Sequence, residues 1–436
     1  MEREAIKILI RWKADPDRKP MIIKGARQVG KTWLMKEFGR LHYEDVFYFN
    51  FDEEEELASV FQKNKNPLRI VELLGMIRGK KIEPGVHLII FDEVQECPEA
   101  LNCLKYFYEN ANEYHVISAG SLLGTLLAQP KSYPVGKVNV MNLYPLTFEE
   151  FLCSVDEGLY QYYKQIKREY VIETIFHTRL TEVYQQYLII GGMPECVDSW
   201  IKNRDCGKVH QIQKELIELY ENDFSKHNGK VNSGRILLVF RSIVNQLAKD
   251  NSKFIYGCVR EGARAREFEE AIEWLVSAGM VIRANNVSKP EHPLNAFVEV
   301  NHFKLYMFDV GLLKCMAGIS NEAILLKKDY QFSGALTENY CIQQLNSSFD
   351  NVPKYYVQGQ NSEIDFLLEN ATDVIPVEVK AGETVHHSNS LKRYINEKKP
   401  KIALRYSLLG YKEQENVVNV PLYLINKTNE YIQELD

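Results

Sequence analysis

At 436 residues, with 45% apolar and 26% charged residues, the chain is too long for one ordinary core and too apolar for general disorder, so two or three domains are expected. A formal net charge of −6 excludes a global attraction to nucleic acid and leaves only local patches for such contacts. No apolar run approaches the roughly 20 residues that span a bilayer, and the opening Met1 to Lys7 lacks the layout of a secretory signal, so a cytoplasmic protein without membrane contact is expected.

In chain order, Ile6, Leu9 and Ile10 are spaced for an amphipathic helix within 1–18. Pro20 to Lys24 reads as a short strand ending at Gly25. Beyond Gly30 the period changes, and Trp33, Leu34, Met35 and Phe38 fit a helix burying one side. Val46 to Phe51 is a second strand, closed by the acidic run Asp52 to Glu56. His87 to Phe91 is an apolar strand followed at once by Asp92 and Glu93. A helix over 98–110 leads to a strand at His115 to Ser118, and Val138 to Leu143 reads as a fifth. Strands that alternate with helices and are apolar on both faces predict a parallel sheet covered on two sides, a three-layer α/β unit over 1–145.

Residues 146–230 read as helical, rich in Tyr, Glu and Lys and interrupted by Gly191-Gly192-Met193-Pro194, which suits a lid or bridging bundle. Helices near 235–249 and 266–278, then β-prone segments around 280 and 296–308, suit a winged helix within 231–330. From 331 a second α/β unit is predicted: a helix containing Glu338, strands near 354–358, 363–368 and 374–379, a helix with Leu391 and Tyr394, and a last strand around 420–425. The eight cysteines include no C-x-x-C pair, which argues against a zinc cluster or disulfide framework. The pair His386-His387 lacks ligand spacing and reads as surface.

Gly25-Ala26-Arg27-Gln28-Val29-Gly30-Lys31-Thr32 satisfies G-x-x-x-x-G-K-[ST] between a strand and a helix, the context this phosphate-binding loop needs. Its glycines let several backbone N–H groups surround phosphates, and the helix N-terminus adds a positive dipole end. Lys31 is the candidate contact to the β- and γ-phosphates of ATP, and Thr32 the candidate magnesium ligand. Asp92, ending an apolar strand, is the candidate second magnesium residue, and Glu93 the candidate base for the attacking water. The same acidic pair also suits a loop start or a helix cap. Ser121, just past the fourth strand, is a candidate γ-phosphate contact, with Ser118 as competitor and a plain turn serine as the alternative.

These stretches resemble prokaryotic AAA+ P-loop ATPases that carry a C-terminal domain of unknown function. The matching segments are 25–32, Phe91-Asp-Glu-Val-Gln95, Ala119-Gly-Ser121, Tyr144-Pro-Leu-Thr-Phe-Glu-Glu-Phe151, Gly191-Gly-Met-Pro-Glu195, Phe303 to Leu313, Glu363 to Leu368 and Pro376 to Lys380. The resemblance implies an AAA+ ATPase using ATP and Mg2+, with a homo-oligomer as a candidate assembly. One departure is Gly136-Lys137, where such proteins usually carry Gly-Arg. Lysine keeps the charge and loses the planar fork of an arginine supplied in trans.

Asp365 with Glu378 and Lys380 resembles the signature of the restriction-endonuclease-like, PD-(D/E)xK, superfamily. Alternation puts Glu378 and Lys380 on one face of a strand. With Asp365 on a neighbouring strand, and Glu338 and Glu363 as further candidates, the set suits a second divalent metal; the alternative is a set of surface ion pairs. Lys392, Arg393, Lys398, Lys399, Lys401, Arg405 and Lys412, interleaved with Tyr394 and Tyr406, suit either contact with DNA or RNA or a solvated helix and loop. Arg260, Arg264 and Arg266 suit contact with DNA backbone or with the phosphates of a nucleotide on a neighbouring subunit, or ordinary exposure. Two functional readings follow: an ATPase coupled to nucleic acid through a nuclease-like module, or an ATP-controlled switch or scaffold that binds a protein partner while its nuclease-like domain is inactive. A transport motor is a third, weaker reading.

Overall fold

Five short segments of the N-terminal region pair as one parallel sheet in the computed structural model. They are β1 (Met21–Lys24), β2 (Asp45–Asn50), β3 (His87–Asp92), β4 (His115–Ala119) and β5 (Asn139–Asn142), in the order β2-β3-β4-β1-β5. The structure describes residues 3–63, 65–120, 136–168, 170–227, 229–249, 253–326, 331–359, 362–383, 389–414 and 416–433. Every residue of β3 and β4 is buried, which is why both read as continuous apolar runs. One face carries Phe49, Phe91, Ile70, Leu74, Leu104 and Phe107. The Phe91 ring meets Phe61 and Phe107 edge-on, with centroids 5.4 and 6.3 Å apart. A helix at Pro67–Ile77, capped by the Asn66 side chain, adds to this face and was not anticipated from the sequence. Because all five strands run the same way, the turns after β1, β3 and β4 open along one edge of the sheet. That edge positions the phosphate loop and the acidic pair.

This sheet belongs to one of two compact units, residues 1–144 with 277–280; the other comprises 145–276 and 281–436. The second unit is built on a mixed sheet of eight strands: β6 (Val281–Val287), β7 (Val298–Met307), β8 (Lys354–Val357), β9 (Glu363–Asn370), β10 (Asp373–Val379), β11 (Ala403–Ser407), β12 (Lys412–Gln414) and β13 (Val417–Pro421). Their order is β12-β13-β11-β10-β9-β8-β6-β7. The hairpin β6–β7, expected within a winged helix, therefore continues the same sheet as the C-terminal strands. The strand expected at 420–425 ends at Pro421, and Leu422–Lys427 is a 3₁₀ turn. Part of the basic stretch that suits either nucleic-acid contact or a solvated helix and loop is the strand β11, which Arg405 and Ser407 disguise in the sequence. In the fold it lies between β10 and β13 with all five residues buried, and Asn419 accepts from both polar side chains.

The helical stretch is tied to this second unit. Helix Phe148–Val155 starts with a reciprocal box in which Thr147 and Glu150 each bond the other's backbone N–H. Phe148 N donates to Gln344 Oε1 at 2.8 Å, and the His177 and Tyr423 side chains meet at 2.8 Å. Among the described residues no helix is long and apolar enough to cross a membrane.

Three of the motifs singled out in the sequence meet in one buried knot. Gly192 N and Leu312 N donate to the Asp309 carboxylate at 2.6 and 3.0 Å, Leu146 N donates to Gly192 O at 2.7 Å, and the Tyr187 hydroxyl donates to Leu146 O at 2.5 Å. A Cβ at Gly191, where φ is +76°, would stand 2.2 Å from Asp309 Oδ1, so only glycine fits. These motifs serve packing.

Asp309 is fully buried, and that burial raises its carboxyl to about 6 against the three backbone N–H groups and Gln343 that favour the anion. A folded value above the unfolded one, near 3.9, means the native state holds the proton more tightly. Its stabilising contribution is therefore complete below about pH 4 and is lost as pH rises through 6, by roughly 3 kcal/mol. Asp309→Asn, which cannot ionise, is expected to gain on the parent by about that amount between pH 4 and 7. Urea unfolding across this range checks it, and parallel curves for the two proteins would refute it.

Candidate functional site

The loop after β1 carries the backbone conformations its sequence requires. Gly25 has φ +150° and Gly30 has φ +94°, immediately before helix Lys31–His42; Gln28 also takes a left-handed φ of +63°. A Cβ on Gly25 would reach 2.2 Å from Leu143 O. Lys31 folds back over the loop, its Nζ donating to the main-chain oxygens of Gly25 and Ala26 at 2.9 and 2.8 Å. The side chain is 7% exposed. Burial pushes its ammonium down to about 8, against the pull of Glu93 and Asp92 and with a small push from Arg27.

Across the sheet edge, Asp92 is buried at the end of β3. The Thr32 hydroxyl donates to Asp92 Oδ2 at 2.7 Å, so the two predicted magnesium residues already touch. Two hard oxygen donors at this spacing fit a magnesium ion, which prefers oxygen and keeps several waters. Glu93 follows with a left-handed φ of +48°, rare for a non-glycine residue. Its N–H donates to Asp92 Oδ1 at 3.0 Å, and Gln95 Nε2 donates to its Oε2 at 2.5 Å. Ser121 lies outside the described residues. Ser118, the competitor, pairs in register with Phe91 and Ile22, so alternation sets it on the sheet face opposite Asp92. Its buried hydroxyl has no hydrogen-bond partner among the described residues.

One neighbour escaped the sequence. The Tyr48 hydroxyl, from β2, donates to Asp92 Oδ2 at 2.9 Å, and Lys36 Nζ lies 3.7 Å from the Tyr48 ring centroid. Tyr48 therefore orients the carboxylate that Thr32 also contacts. Tyr48→Phe is expected to raise the magnesium concentration for half-maximal ATP turnover about 10-fold, the cost of one hydrogen bond to a charged group. A magnesium titration of the initial rate reads this directly, and an unchanged midpoint would remove Tyr48 from the site.

Lys137 forms an ion pair with Glu109 at 3.2 Å and precedes β5. It sits at the N-terminal end of that parallel strand, the opposite edge from the phosphate loop of its own unit.

In the second unit the candidate residues divide into two groups. Glu378, buried on β10, pairs with Lys380 at 3.2 Å and lies in register with Arg405. Asp365 Oδ2 accepts the Val379 N–H at 2.7 Å. Glu338 and Glu363 turn to Lys304, a lysine not anticipated from the sequence, which is 1% exposed and contacts Glu363 directly, with Glu338 Oε2 3.7 Å away. Among the described residues no group of three or more His, Cys, Asp or Glu is arranged to hold a metal. The second metal set expected from Glu338, Asp365 and Glu378 is thus not assembled here.

The basic stretch is also not the stacking surface it suggested. Tyr394 is 1% exposed and Tyr406 fully buried, Arg405 is buried, and Arg393, Lys398 and Lys401 pair with Glu397, Glu291 and Asp373. Both tyrosines are core residues because their strand and helix faces are apolar. Arg260 pairs with Glu267 at 2.9 Å. The His386-His387 pair lies outside the described residues.

Residues 17–152 match the family model of an AAA domain, while residues 181–323 and 333–425 match two separate models, each described as a domain of unknown function. A protein of Methanocaldococcus jannaschii named "Uncharacterized protein MJ1544" is 24% identical over 355 residues, covering 80% of this chain and 71% of its own. Among solved structures, the Walker-type ATPase PABY2304 of Pyrococcus abyssi gives a TM-score of 0.46 at 16% identity, covering 72% of this chain and 95% of its own. AMPPCP-bound DnaA from Aquifex aeolicus gives 0.28 at 15%, covering 63% and 87%. The segment that matches the AAA-domain model contains the phosphate loop at 25–32, and the two together support a P-loop ATPase-type domain over residues 17–152.

Proposed function

We propose that the protein binds ATP with magnesium and hydrolyses it, and that its nucleotide state governs the second unit. The observation that carries this reading is the 2.7 Å contact between Thr32 and Asp92 beside the buried ammonium of Lys31. Backbone N–H groups of residues 25–32 would hold the phosphates, Lys31 would leave the Gly25 and Ala26 oxygens for the β- and γ-phosphates, and Thr32 with Asp92 would hold magnesium. The metal, when bound, supplies charge neutralisation of the phosphates. Glu93 orients the attacking water and accepts its proton, and Tyr48 keeps the Asp92 carboxylate in place. A cytoplasmic setting and assembly into a homo-oligomer belong to the same proposal.

The order of strands and acidic residues after 331 supports a nuclease-like fold, and the two helices before the β6–β7 hairpin support a winged-helix origin for that region. Of the two partner classes, the burial of Tyr394 and Tyr406 favours an ATP-controlled switch that binds a protein over a module that stacks on DNA or RNA. The test is steady-state ATPase activity of the full chain with and without single- and double-stranded DNA, beside Lys31→Ala. Turnover that requires Lys31 and ignores DNA is expected. No turnover in either protein would defeat the ATPase reading, and strong stimulation by DNA would defeat the choice of partner.

A further inference from the structure

Two carboxylates in the second unit meet the same buried lysine: Glu338 on helix Ser333–Ser348 and Glu363 on β9, with Asp365 two residues further along β9. Glu338 and Glu363 are only partly exposed, so neighbouring acids here are stabilised in the ionised form by a cation among them. Hard divalent ions are the usual answer to clustered carboxylate oxygens. Here the position is held differently. Lys304, on β7, stands in register with Ala284 of β6, and its Nζ lies 5.1 Å from the Tyr355 ring on β8 and in contact with Glu363 on β9. In the sheet order β6 and β8 lie between β7 and β9, so this contact joins side chains of non-adjacent strands. Tyr306, two residues along β7, donates its hydroxyl to Glu338 Oε2 at 3.1 Å, and that same oxygen is 3.7 Å from Lys304 Nζ. Asp365 has one oxygen satisfied by the Val379 N–H.

We propose that the Lys304 ammonium is the resident cation of the Glu338–Glu363 centre beside Asp365, standing where a divalent metal would otherwise be needed. Electrostatics agree with the geometry. Burial opposes charge on Lys304, yet Tyr306, Glu338, Glu363 and Asp365 outweigh it and hold the ammonium well above its usual range. Burial, then Glu338, raises Asp365 to about 8, with Lys304 and the Val379 N–H opposing and Glu363 adding to the rise. The centre clamps helix Ser333–Ser348 to β7 and β9 through one fixed positive charge, and its carboxylates have no need of an exchangeable ion. This inference does not depend on ATP hydrolysis, and its readout contains no nucleotide.

The experiment is Mn2+ binding to the nucleotide-free full chain, read by electron paramagnetic resonance, for the parent, Glu338→Gln, Lys304→Met and the double variant Lys304→Met/Glu338→Gln. The parent and Glu338→Gln are expected to bind the same amount of Mn2+. Lys304→Met, which keeps the stem and removes the charge, is expected to melt roughly 5–10 °C lower and to gain one Mn2+ site that the double variant loses. Parental Mn2+ binding that falls in Glu338→Gln would overturn the proposal, as would a folded Lys304→Met that gains no site. If Lys304→Met does not fold, the comparison of the parent with Glu338→Gln still decides, because a metal held by these acids must weaken when one is removed.

Discussion

Lys31→Ala is expected to abolish ATP turnover and to weaken nucleotide binding by at least about 100-fold, the scale of one or two charge-assisted hydrogen bonds to phosphate. The reason lies in where the ammonium already is. It is desolvated and held on the oxygens of Gly25 and Ala26, inside the loop whose backbone N–H groups would hold the phosphates. An arriving triphosphate offers stronger acceptors than two carbonyls and raises no new desolvation cost for this lysine. Alanine leaves those carbonyls to water at a site open to the sheet edge, so folding should be little affected. Titration with a fluorescent ATP analogue, alongside thermal unfolding, separates the two effects. Affinity at the parental level in a folded Lys31→Ala would mean the loop does not grip phosphates through this residue.

What was legible in the sequence depended on whether the information was local. The phosphate loop was, because residues 25–32 carry their own glycines, lysine and threonine, and the flanking strand and helix show through their periodicity. Asp92 and Glu93 were legible for the same reason, being the polar end of an apolar run. Tyr48 was not: its hydroxyl meets Asp92 across 44 residues of sequence, and within Val46 to Phe51 it looks like another aromatic of a buried strand. Lys304 was hidden by a different prior. Lysines are rarely buried, so the basic partner of the C-terminal acids was sought at Lys380, the residue next to them in sequence, while strand order brought a more distant one. The same bias made Arg405, Tyr394 and Tyr406 look like a surface. Gly191-Gly192 and Asp309-Val-Gly311 stand out in the sequence without showing why, and the fold supplies the reason: a Cβ at Gly191 or Gly311 would collide with the neighbouring chain.

Glu93→Gln is expected to leave ATP binding within a few-fold of the parent and to slow hydrolysis by roughly 10²–10⁴-fold, the usual contribution of a general base. Glu93 is held in a left-handed conformation with its N–H on Asp92 Oδ1, which fixes the glutamate relative to the metal-side carboxylate. Gln95 at Glu93 Oε2 restricts the side chain further. A non-glycine residue at φ +48° costs on the order of 1 kcal/mol or more, so the position is not chosen for backbone comfort. The amide of glutamine keeps the size and one acceptor oxygen but cannot take a proton from water, so it isolates proton transfer from placement. Single-turnover hydrolysis with excess protein, set beside nucleotide affinity, distinguishes a slowed chemical step from lost binding. If both Glu93→Gln and the parent hydrolyse bound ATP at the same rate, the proton goes elsewhere and the strained turn after β3 must be explained by its grip on Asp92 alone.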